Sequence, residues 1–124
     1  MAEMASYVAI EPRTIIVGAS TIAKGFRVTK DANGVCAVAG DTIRGEFVTL
    51  QTGLTGEAIA AVDTASAGKC IAYAGEAGVD AGDAAYAFAG GKFGVTSTNV
   101  ALMGRWTTTT AVNTLGEVEL LSVL

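Results

Sequence analysis

Apolar and polar residues alternate with a period of two along much of this chain, and that period predicts strands. Gly25-Phe26-Arg27-Val28-Thr29-Lys30 alternates cleanly, and the β-branched run Thr14-Ile15-Ile16-Val17 precedes it. Further strands are read over 43–50, 69–73, 100–107 and 117–124. The clearest segment is 82–96. Gly90 and Gly91 can both take positive φ, and a two-residue turn there pairs Phe88 with Phe93 and Tyr86 with Val95. Those four side chains then share one face, with small or polar residues on the other. Asp31-Ala32-Asn33-Gly34 instead predicts a three-residue loop with a left-handed glycine, which sets Val28 opposite Val38 and Lys30 opposite Cys36. A two-residue Asn-Gly turn would throw Val38 to the opposite face. The Ala-rich run 57–62 is expected as one or two helical turns or a loop.

Residues 1–14 read differently. Pro12 lacks the N–H of a central strand and pushes Glu11 towards extended geometry. The segment is expected as an extended N-terminal arm. Two readings stand for it: a frayed terminus, or an arm that buries Tyr7, Val8 and Ile10 on a neighbouring subunit.

Residues 15–124 are expected as a single β domain with an internal repeat, about 25–75 and 82–124. Each half runs hairpin, strand with an internal glycine (Gly45, Gly104), then a further strand after a glycine (Gly68, Gly116). Gly68 lies 23 positions after Gly45, and Gly116 lies 12 after Gly104. The excess matches an insert around 54–64. The fold class is therefore all-β: a small antiparallel β-barrel or sandwich of two pseudo-repeated halves, with at most one short helix. Closure would hide strand edges.

Composition adds that the core is built of small residues, since hydrophobic content is 51% but aromatics only 6%. No run reaches the roughly 18 uncharged apolar residues of a membrane span, and the first residues lack the pattern of a secretory signal. Net charge is −4, and the eight Lys and Arg are scattered, which argues against nucleic acid as a partner. Cys36 and Cys70 sit in strand-like runs and read as buried thiols of a reducing compartment, a disulfide between them being the alternative.

Candidate chemistry is sparse. Histidine is absent from the sequence, which removes the commonest general base and metal ligand near neutral pH. Two cysteines 34 positions apart form no metal motif. Asp80 and Asp83 read as a solvated turn, no phosphate-loop or dinucleotide pattern occurs, and no serine has a histidine or lysine partner in a recognisable motif. No enzyme, metal or cofactor is expected.

The order of motifs resembles the small capsid cement, or head decoration, proteins of tailed bacteriophages. The similarity covers roughly residues 25–123. It rests on Gly25-x-x-Val28 with the Asp31-Ala32-Asn33-Gly34 turn, Ile43-x-Gly45, Ala67-Gly68-Lys69-x-Ile71, Ala81-Gly82-Asp83-Ala84-Ala85-Tyr86, Leu102-Met103-Gly104, and Leu115-Gly116-Glu117-Val118-Glu119-Leu120. A longer N-terminal stretch and the segment 53–65 depart from the more usual members. The resemblance implies an all-β protein, often a homotrimer, that binds across junctions between major capsid subunits on the outer surface of the virion after synthesis in the bacterial cytoplasm. Under it, Tyr7, Val8, Ile10, Ile15, Ile16 and Trp106 are the expected capsid or subunit contacts, with no nucleic acid or membrane as partner. Two other readings are a tail or baseplate β module and a small-ligand barrel using Tyr73, Tyr86 and Trp106.

Overall fold

The computed structural model describes residues 13–40, 42–65, 68–98 and 100–121. Strands β1 to β5 are Arg13–Val17, Arg27–Lys30, Val35–Val38, Phe47–Thr49 and Ala58–Asp63, and β6 to β10 are Gly68–Tyr73, Ala84–Phe88, Lys92–Gly94, Leu102–Trp106 and Leu115–Leu120. The first five close into a barrel in the order β1-β3-β2-β4-β5, and the last five form a sheet in the order β6-β10-β9-β7-β8. The fold is all-β, and no α-helix occurs among the described residues.

Several boundaries differ from those expected. The Ala-rich run is strand β5, because β1 and β4 offer it pairing on both sides; Ile59 and Ala61 face the barrel core while Val62 faces the other way. Pairing and burial override the helical preference of alanine. The strand expected over 43–50 is confined to Phe47–Thr49, since Gly45 at φ +81° bends the chain before it. Arg13 and Thr14 belong to β1 and not to an arm. The arm residues Tyr7, Val8 and Ile10 lie outside the described residues.

The internal repeat has a different phase from the one expected. An isolated antiparallel bridge joins Ile22 to Gly53, and another joins Val79 to Thr110, each residue 57 positions after its counterpart. The same offset relates Val17 and Cys36 to Ala74 and Phe93, the closing parallel contacts of the two halves. It relates Lys24 N donating to Thr52 Oγ1 (3.2 Å) to Ala81 N donating to Thr109 Oγ1 (3.2 Å). It also relates Gly25 N on Thr49 O to Gly82 N on Trp106 O. The repeating unit is thus β1–β5, then β6–β10, with no insertion. Gly45 and Gly104 are not equivalent positions, and the supposed insert is the counterpart of β10.

The central hairpin shows why the phase matters. Its pairs are Tyr86↔Gly94, Ala87↔Phe93 and Phe88↔Lys92, joined through a 3-10 turn at Ala89–Gly91. This is one residue away from the expected register, and it matches the first hairpin, where Lys30 pairs with Cys36 as expected. Gly91 (φ 80°) occupies the left-handed position that Gly34 (φ 84°) fills in the first loop. The shift turns Ala85, Ala87 and Phe93 inward beside Trp106 and leaves Tyr86 and Phe88 half-buried outside. A core already holding Trp106 and Phe93 takes alanines there.

Gly34 and Gly91 therefore make a matched test. A Cβ at Gly34 would meet nothing within 4 Å, whereas one at Gly91 would lie 2.5 Å from Val38 Cγ1 and 2.9 Å from Arg27 O. Both alanine variants carry left-handed strain of about 1–2 kcal/mol. Gly91→Ala is expected to destabilise by at least about 1 kcal/mol more than Gly34→Ala, read as the difference in denaturant midpoints.

Candidate functional site

The two halves meet where the second is left open. In the first, β1 and β3 pair in parallel through Ile16↔Val35 and Val17↔Cys36; in the second, the equivalent seam between β6 and β8 retains the bridge Ala74↔Phe93. The outer face of the first barrel fills that seam. Val48 and Val62 alternate with barrel-core residues, so they point outward and join the core built around Trp106 and Phe93.

Arg27, on the same face, is fully buried. Its Nε donates to Lys92 O (2.8 Å), one guanidinium nitrogen donates to Phe88 O (2.6 Å), and the other reaches Gly40 O (3.3 Å) and Ile43 O. The guanidinium carbon lies 6.0 Å from the Phe93 ring centroid. One planar group with diverging donors thus holds the turn end of the β7–β8 hairpin to the loop after β3. Beside it, Tyr73 N donates to Gly25 O (3.0 Å), and Phe26 meets Tyr73 edge to face at 5.1 Å. Arg44 works similarly at the lower end: it donates to Leu102 O (2.8 Å), and also to Thr64 O and Leu121 O. Burial pulls the Arg44 pKa down and nearby Asp63 opposes that.

Glu76 blunts the β8 side of the seam. Its Oε1 accepts from Val95 N (2.8 Å) and Thr96 N (3.1 Å), and Thr96 Oγ1 donates to Oε2. Partial burial opposes ionisation, but these hydrogen bonds prevail and hold the carboxyl below its usual range.

Sequence reasoning missed Arg27 and Arg44. Each stands alone among uncharged neighbours on one side, and a single basic residue in an alternating strand looks the same whether its outward face meets water or another sheet. Of the expected contacts, Ile16 is 38% exposed, while Ile15 is buried in the first core. Trp106 is 0% exposed; its Nε1 donates to Gly94 O (3.2 Å) and its ring meets Phe93 edge to face. Both are core residues, because the barrel interior claims them. Tyr73, Tyr86 and Trp106 do not share a cavity: Tyr73 packs on Phe26, and Tyr86 sits on the outer side of the sheet.

Grooves open on the surface formed by the described residues, and two of them concern the ends of the molecule's two halves. One, of about 600 Å³, is lined by Ala84, Leu102, Arg105, Glu119 and Leu121; the other, of about 520 Å³, by Arg13, Thr14, Ile16, Lys30 and Gly34. Among the described residues no group of three or more His, Cys, Asp or Glu is placed to hold a metal. No family model matches the chain, and no curated protein matches it.

Two outcomes are expected. Arg27→Met leaves the carbonyls of Phe88, Lys92, Gly40 and Ile43 short of a donor and is expected to lower unfolding free energy by about 2–4 kcal/mol, with Arg27→Lys recovering only part. Cys36 and Cys70 are both free and buried, in different cores. Burial, then Glu46, pushes Cys36 up; burial, then Glu117, pushes Cys70 from 9.0 to about 12. The fold favours the neutral thiol, so this contribution is complete below pH 9.0 and disappears as pH climbs towards 12. Denaturant midpoints are expected to fall over that window, less steeply in Cys70→Ala, and neither thiol is expected to react with a thiol reagent at pH 8 until the chain is unfolded.

Proposed function

We propose that this chain is a structural virion protein that decorates and stabilises a phage capsid, binding in several copies across junctions between major capsid subunits. The observation that carries the reading is how the chemically versatile side chains are used. Arg27 and Arg44 are committed to backbone carbonyls, Glu76 to backbone amides, and both thiols are buried in their neutral form. What the molecule offers a partner is a body made of one closed barrel and a five-stranded sheet packed on it, with their outer surfaces. That suits a protein acting by shape and copy number, since neighbouring copies hold one another near their sites and multiply a modest single contact. The resemblance of the motif order to capsid cement proteins supports the same class. Ile16, on the exposed side of β1, is the described residue best placed to extend an arm contact.

The experiment mixes purified chain with capsid shells stripped of decoration and follows co-sedimentation and electron-microscopic occupancy. Saturable binding at lattice junctions and a raised shell-disruption temperature are expected. Deleting residues 2–12, which leaves β1 whole, is expected to reduce occupancy; unchanged occupancy removes the arm from the account. Density at the tail and none on the shell would replace capsid decoration with a tail role.

A further inference from the structure

The two open grooves are the unmatched twins of the two surfaces that meet inside the molecule. Gly82, Ala84, Arg105 and Glu119, along the first groove, stand 57 positions after Gly25, Arg27, Val48 and Val62. Those four form the first-barrel face that receives the second sheet: Gly25 O takes the Tyr73 amide, Arg27 takes the hairpin carbonyls, and Val48 and Val62 enter the second core. On the other side of that internal contact lie Tyr73, Gly91, Cys70 and Ala87. Their counterparts 57 positions earlier are Ile16, Gly34, Arg13 and Lys30, all four of which line the second groove. One copy of the interface is filled within the chain. Each of its two sides has a second, open copy on the surface.

We propose that chains associate head to tail, the Arg105–Glu119 face of one receiving the Arg13–Lys30 face of the next. Residue chemistry follows the equivalence. Inside the molecule the contact is apolar, with Val48 and Val62 sharing a core with Cys70, Ala87, Met103 and Leu120. Their counterparts are Arg105 and Glu119 on one surface, and Arg13 and Lys30 on the other, with Glu46 and Asp63 in the neighbouring groove across Phe47. Both signs occur on each side, so Glu119 can meet Arg13 and Lys30 while Arg105 meets Glu46 and Asp63. The first barrel's seam is sealed by β1–β3 pairing, so nothing can insert there. A polar surface contact between the second sheet of one chain and the closed barrel of the next is the form this second interface takes. Exposed Leu102 and Leu121, 42% and 45% accessible, add apolar area at its rim. A contact between unlike surfaces closes as a ring or continues as a filament.

This inference deepens the self-assembly part of the proposed function and rests on it. The test uses the full chain in sedimentation velocity at low ionic strength, without capsids. One variant carries Glu119→Lys; a second carries Arg13→Glu with Lys30→Glu. Each alone places like charges across the contact and is expected to associate at least about tenfold more weakly than the native chain. A third variant combines all three substitutions in one chain, which restores opposite charges at every junction whatever the number of copies, and association is expected to return. Thermal unfolding of each variant separates lost folding from lost contact, and a variant that does not fold is replaced by Glu119→Gln with Lys30→Gln. A native chain that assembles while the variants match it, or whose combined variant stays dissociated, overturns these surfaces and leaves self-assembly standing. A native chain that remains monomeric at millimolar concentration overturns both.

Discussion

A guanidinium shut away from water must find acceptors, and Arg27 finds them in two separate stretches of backbone: the turn end of the β7–β8 hairpin, and the loop that carries Gly40 and Ile43. Regular strand pairing does not fix either stretch against the other. The guanidinium does, because its donors lie in a plane at set angles. An ammonium in its place would offer a point charge with no such template. Arg27 is thus the central tie between the two halves, with Arg44 and the Tyr73–Gly25 and Ala101–Thr42 backbone hydrogen bonds beside it and Val48 and Val62 supplying the apolar filling.

That arrangement explains how two halves with the same strand order come to differ. The first closes on itself, while the second keeps a gap that the first occupies. Every equivalent position had to follow its surroundings: where the second half presents Ala84, Arg105 and Glu119 to solvent, the first presents Arg27, Val48 and Val62 to its neighbour. Even the barrel interiors have diverged in volume, with Thr49 in one where Trp106 stands in the other, and Cys36 where Phe93 stands. Hydrogen-bond geometry has been kept through all of this, down to the paired contacts of Thr52 and Thr109.

What could be read from sequence divides along the same line. Local alternation gave the strands around Val28, Cys70, Met103 and Val118, and turn chemistry gave the Asp31 loop with its register. The central hairpin went astray because its glycines allow a two-residue turn as readily as a three-residue one, and only the space around Ala87 and Phe93 decides between them. The duplication was visible as a plan but not in phase. Gly18, Gly25 and Gly34 match Gly75, Gly82 and Gly91 at constant offset, yet Gly45 and Gly104 drew attention by lying in similar strands with unrelated roles. Alanine in β5 hid the strand that would have corrected the count. Of the groove residues, Ile16 stands among the contacts expected from the resemblance, whereas Arg105, Glu119, Arg13 and Lys30 gain significance only when the halves are superposed by number.

The gap in the second half has a bearing on biosynthesis. A ribosome releases β1–β5 before β6–β10, and the earlier barrel completes its own hydrogen-bonded circuit without help. The later half is added to a closed circuit whose outer face carries Arg27, Val48 and Val62, the groups it meets in the folded chain. Order of translation and order of dependence coincide, so an unsealed sheet need never wait exposed among many identical nascent chains.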